Sequence, residues 1–171
     1  MLQAQRDFLK DEIWMLSFGG AIQHNTIYNA GVGEKEREIF RECLQSYIVD
    51  VILPAYKNQV GDQNHRAYIK SIIDYTRSFP KLLSKGKLNV GTVQKILNLS
   101  LKYYWCLGWL PEPPYFPIDS RIQKCIPNKY RKSWTRINNL DEYQAIIDCA
   151  RGLLNDGESL ATWELVNFRR N

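Results

Sequence analysis

Lys95 and Asp119 are the residues of this chain whose neighbours in sequence suggest chemistry. Lys95 falls in the second turn of the most apolar helical run, residues 90 to about 107, and Asp119 follows a loop that carries Pro111, Pro113, Pro114 and Pro117. A lysine among so many apolar neighbours either snorkels to water or is held partly desolvated. Desolvation disfavours the ammonium and frees a lone pair for attack on a sugar or carbonyl carbon. Asp119, facing the same cleft, would stabilise a cationic intermediate or accept a proton. The same residues admit a plainer reading: Lys95 and Lys102, seven apart, mark the wet edge of the helix, and Asp119 caps the helix that follows.

A second chemical signal is charge. The chain carries a formal net charge of +5, but residues 77–136 hold twelve Lys and Arg against Glu112 and Asp119, a balance of +10 that leaves −5 for the rest. Positive charge concentrated in the middle third suits a polyanionic partner better than general solubility does. Arg121, Lys124, Lys129, Arg131, Lys132 and Arg136 would neutralise phosphates, and Tyr130 or Trp134 would stack on an exposed base. The alternative is a solvated loop whose aromatics plug back into the core.

Other chemistries find little support. His24 and His65 have no carboxylate or cysteine at ligand spacing, so neither a metal nor a cofactor is expected. Cys43, Cys106, Cys125 and Cys149 are scattered without a CxxC and read as reduced cytosolic thiols. No phosphate-binding loop, serine elbow or GxGxxG occurs. Lys95 and Lys102 interrupt the longest apolar run, so no membrane span is expected and the protein is placed in the cytoplasm.

The elements that must position these groups are helices. Residues 2–17 show helical spacing that Gly19-Gly20 should stop; a second helix should run from near Glu34 through Ile52 to Pro54; a third carries Tyr68, Ile69, Ile72, Ile73 and Phe79. Asn89 is the expected N-cap of the central helix, which is apolar all round and so buried on several sides. Residues 119–126 should form a short fifth helix stopped by Pro127, Asn139 with Glu142 a capping box for a sixth, and Ser159 the start of a seventh that ends in Arg169-Arg170. No segment alternates as a strand does. The expected fold is therefore all-α, a compact bundle of about seven helices in a single domain over residues 1–171.

Gly91-Thr92-Val93-Gln94-Lys95-Ile96-Leu97-Asn98, then a hydrophobic helix, then Phe116-Pro117-Ile118-Asp119-Ser120-Arg121-Ile122, resembles the helix-hairpin-helix DNA glycosylase superfamily, which includes endonuclease III and 8-oxoguanine glycosylase. The chain departs from that pattern at Val93, where the family has a second hairpin glycine, and at Ser120-Arg121, where Thr-His is usual. The resemblance implies an all-α fold that flips a damaged base from DNA and cleaves its glycosidic bond. It puts Lys95 in the place of the lyase lysine that forms a Schiff base at the sugar C1′ and Asp119 in that of the obligatory aspartate. Gly91, with Thr92 and Gln94 beside it, would meet the nucleic acid at the hairpin. The expectation is a nucleic-acid-binding protein acting as a base-excision glycosylase and lyase, with DNA or RNA as partner. The alternative is a non-catalytic helical module for nucleic acid or protein, of regulatory, phage or defence origin.

Overall fold

The computed structural model describes residues 1–168; the expected Arg169-Arg170 terminus lies outside them. The described chain is all-helical: α1 Gln3–Ile22, α2 Glu34–Ser46, α3 Asp62–Thr76, α4 Val90–Cys106, α5 Leu140–Arg151 and α6 Leu160–Asn167. No strand occurs among the described residues, only an isolated bridge between Tyr28 and Leu83. None of these helices is long and apolar enough to cross a membrane.

α4 is the axis of the fold. Nine consecutive residues at its start, residues 90–98, are buried, and α1, α3 and α5 pack around it. Its N-cap is Asn89, whose Oδ1 accepts from the Thr92 N–H at 2.9 Å and from the Thr92 hydroxyl at 2.8 Å. Core residues from all six helices form one apolar cluster.

Two expectations about boundaries change. Gly19 and Gly20 do not end α1, which continues to Ile22. A Cβ on Gly20 would lie 3.4 Å from Leu99 on α4, and Trp14, Phe18 and Ala21 are buried beside it, so packing against α4 overrides the weak helix propensity of the glycine pair. Residues 119–126 do not form an α-helix. Pro117 and Pro127 confine the segment to fewer residues than a stable helix needs, and it makes a single 3-10 turn, Ile122–Cys125. Among the described residues the bundle accordingly has six α-helices rather than about seven. In addition, α2 runs on into a π-helical segment, Tyr47–Ile52, and a 3-10 turn, Leu53–Lys57, that contains Pro54.

The proline-rich loop is pinned by two buried amides on α4. The Gln94 side chain brackets Ile118: its Nε2 donates to the Ile118 carbonyl at 2.9 Å and its Oε1 accepts from the Ile118 N–H at 3.1 Å. Asn98 Nδ2 lies 3.1 Å from the Phe116 carbonyl and 2.9 Å from the Tyr143 hydroxyl. Loop backbone buried against apolar neighbours must find such partners, and these bonds fix the residue that follows, Asp119.

Candidate active site

The N-terminal end of α4 docks on a backbone segment. The Gly91 N–H donates to the Ile137 carbonyl at 2.9 Å, and the Asn89 Nδ2 donates to the Thr135 carbonyl at 2.7 Å. A Cβ on Gly91 would fall 1.6 Å from the Trp134 carbonyl oxygen. Only glycine permits so close an approach, and it brings the Trp134 ring beneath α4 one turn further on.

The Lys95 ammonium lies over that ring, 4.2 Å from its centroid. Lys95 is only 8% exposed, and no carboxylate among the described residues lies within 4 Å of its Nζ. Burial lowers its pKa from the ordinary lysine value; the Asp119 charge opposes this and Arg121 adds to it. The amine is thus stripped of most of its water, held by a π face rather than an ion pair, and within electrostatic reach of Asp119.

Asp119 is half-buried. Its Oδ1 accepts from the N–H groups of Arg121 at 2.8 Å and Ile122 at 3.0 Å, which starts the 3-10 turn. Asp119 also lines a cavity of about 350 Å³ between α4, the end of the proline loop and α6; Lys95 is not among the residues lining it, so the expected common cleft is not formed by this cavity. Leu99, Leu165 and Phe168 contribute apolar wall; Lys102, Tyr103, Cys106 and Glu164 join Asp119 as residues with ionisable side chains. Glu164 and Lys102 form an ion pair at 2.6 Å with side chains 2% and 14% exposed. Burial raises the Glu164 pKa above the usual carboxylate range, Lys102 works against this, and Asp119 adds to it. A larger hollow, about 560 Å³, opens on the exposed side of α1 around Met1 and Phe8, lined by no ionisable side chain.

The residues expected to meet nucleic acid separate into two sets. Gly91, Thr92 and Gln94 are buried and committed to internal hydrogen bonds, which removes them from any contact surface as the chain is folded. Trp134 is 3% exposed and packs under Lys95 instead of offering a face to a base. Arg121, Lys124, Lys129, Arg131 and Arg136 are exposed, as is Tyr130 at 39%, with the Lys129 ammonium 4.9 Å from its ring centroid. Arg131 and Lys132 have structural work in the loop. Arg131 holds the loop by donating to the carbonyls of Ile126 at 2.7 Å and Lys124 at 2.8 Å, and half-buried Lys132 pairs with Glu142 at 2.5 Å.

The sequence does not single out Glu164 and marks Lys102 only as the wet edge of the central helix; in the structure the Lys102 side chain is 14% exposed and paired inward with Glu164. The inward set of α6, Leu160, Ala161, Trp163 and Glu164, does place a carboxylate at an apolar position, and that mismatch is the available signal. No group of three His, Cys, Asp or Glu side chains among the described residues is arranged to hold a metal ion. Comparison with protein-family models, curated proteins and solved structures finds no match to this chain.

Proposed function

We propose that the protein binds nucleic acid and acts on it as a base-excision glycosylase with lyase activity, Lys95 supplying the nucleophile and Asp119 the electrostatic partner. The observation that carries this reading is the state of Lys95: an amine desolvated against Trp134, unneutralised at ion-pair distance and within electrostatic reach of Asp119. A lone pair made available in this way attacks the sugar C1′ as the bond to the base breaks, and the resulting adduct opens to a Schiff base. Asp119 offsets the positive charge that builds on the sugar. The cavity beside Asp119 has room for a planar heterocycle turned out of a stack, and Arg121, Lys124, Lys129 and Arg136 lie on exposed surface where phosphates would bind.

Borohydride reduction of the protein mixed with a DNA duplex containing one abasic site tests this directly. Wild type should form a covalent adduct and Lys95→Gln should not; equal trapping by the two, or none by wild type, ends the lyase reading.

One observation favours a second reading, a non-catalytic module that holds nucleic acid on its exposed cations. Asp119 is employed as a turn cap, a sufficient structural reason for its presence. That reading expects salt-sensitive binding that survives Lys95→Gln and Asp119→Asn and weakens with Lys124→Ala or Lys129→Ala.

A further inference from the structure

We infer that Glu164 is the acid that protonates the departing base, and that Lys102 stabilises the carboxylate it leaves behind. This rests on the excision reading above and extends it to a residue on a different helix.

The geometry is specific to this cavity. Its wall holds two carboxylates and one ammonium: Asp119 from the loop, Glu164 from α6 and Lys102 from α4, with the Tyr103 hydroxyl and the Cys106 thiol also on the lining. The Asp119 Oδ1 is taken by two backbone N–H groups. Glu164 has only its Oε2 engaged, by Lys102, and its Oε1 makes no hydrogen bond to any described residue. A buried carboxyl with one free oxygen on a base-sized cavity is placed to give a proton to whatever fills it. Burial raises the Glu164 pKa and Asp119 adds to this, while the hydrogen bond and charge of Lys102 oppose it; the protonated fraction is the form that reacts. Once the proton has gone, the carboxylate stands opposite an ammonium already in contact with it, so charge is created where its counter-ion is waiting.

The step balances without any co-reactant. Lys95 reacts as the neutral amine, its ammonium proton having passed to solvent; its lone pair forms the bond to C1′, the C1′–N bond breaks and its electron pair passes to the base. The Glu164 proton moves to a ring nitrogen or carbonyl oxygen of that base, which leaves neutral. The acid is therefore required only where the leaving base would otherwise carry negative charge. A base already cationic by alkylation, such as 7-methylguanine, leaves neutral without it. An abasic site has no base to protonate.

Glu164→Gln separates these cases on three duplexes, containing hypoxanthine, 7-methylguanine or an abasic site. The expected result is a fall of roughly 100-fold or more in hypoxanthine release relative to 7-methylguanine release, within the usual range for removing a general acid, while borohydride trapping on the abasic duplex persists. Equal loss on both bases, loss of all three activities, or no loss on hypoxanthine overturns the proposal and leaves Glu164 a structural or neutral residue. So does a wild type that traps on the abasic duplex yet releases neither base. Failure of wild type to trap at all is the separate failure of the Lys95 reading.

Discussion

Gly91 and Trp134 meet backbone to backbone, and that contact sets the environment of Lys95. With no side chain at 91, the Trp134 carbonyl sits where a Cβ would be, and the indole ring comes to lie 4.2 Å under the Lys95 ammonium one helical turn later. The chemistry assigned to the amine thus depends on a residue that touches no ligand.

Gly91→Ala should therefore be costly. The methyl cannot be accommodated by a side-chain shift because the obstacle is backbone, so the 134–137 segment must move away from α4. Urea denaturation should show a loss of about 1–3 kcal/mol or more, and adduct formation at Lys95 should fall with it. A variant as stable as wild type would show that the segment yields easily.

Gln94 and Asn98 tie the loop to α4, so replacing either by leucine strands buried polar groups of residues 116–118. The expected cost is about 1–3 kcal/mol for each group left without a partner. Because these bonds also fix Asp119, trapping on an abasic duplex should fall more than the change in the folded fraction explains. Unchanged trapping in Gln94→Leu would mean that Asp119 is positioned by its own turn alone.

Nucleic-acid binding should follow exposure rather than formal charge. Lys124→Ala, Lys129→Ala and Arg136→Ala should each weaken binding and lower the slope of log affinity against log salt by about one. Lys132→Ala should change it less, since Glu142 already neutralises Lys132. A filter-binding series at several salt concentrations gives the slopes; equal effects from all four would point to diffuse attraction.

His65 supplies a stability prediction independent of function. It is fully buried, its Nδ1 lies 2.7 Å from the Tyr56 hydroxyl oxygen, its Nε2 has no hydrogen-bond partner among the described residues, and burial lowers its pKa to about 3. The unfolded chain takes up this proton near pH 6.5 while the folded one resists, so ν_U exceeds ν_N between those values and stability falls as pH falls. The contribution should approach about 1.4 kcal/mol per pH unit and should be absent in His65→Gln. Parallel acid limbs for the two proteins would show that the imidazole is accessible to protons in the native state.

Lys95 has the opposite linkage from an ordinary salt-bridged lysine. Its folded pKa lies below the ordinary 10.5, so the folded chain releases the proton first and stability rises with pH through the interval below 10.5. Compared over that interval, wild type should gain on Lys95→Met as pH increases. The comparison matters because tyrosines with raised pKa, Tyr56 and Tyr143 among them, act in the other sense above their ordinary value of 10 and are common to both proteins.

Much of the helical frame was legible from local signals. Asn89 and Asn139 are side-chain caps, and α4 and α5 start where those residues place them. The apolar stripe Tyr143, Ile146, Ile147 and Ala150 is buried as its spacing implies. What stayed hidden depends on contacts distant in sequence. Glycines 19 and 20 look like a stop until α4 is packed against them, and Gly91 looks like a hairpin glycine until Trp134 arrives from 43 positions away. Trp134 could be read from its cationic neighbours as a base-stacking aromatic or as a plug returning to the core; the structure takes the second, with the ring buried under Lys95. Lys95 and Asp119 could be named from their types and spacing; that Asp119 faces a cavity also holding Glu164 required α6 to fold back beside α4.

The decisive measurement is the site of attachment. Protein reduced with borohydride in the presence of an abasic duplex is digested and the modified peptide sequenced by mass spectrometry. The sugar remnant should be found on Lys95. Its appearance on Lys102 or on a surface lysine, or the absence of any adduct, would contradict the assignment of the amine above Trp134 as nucleophile.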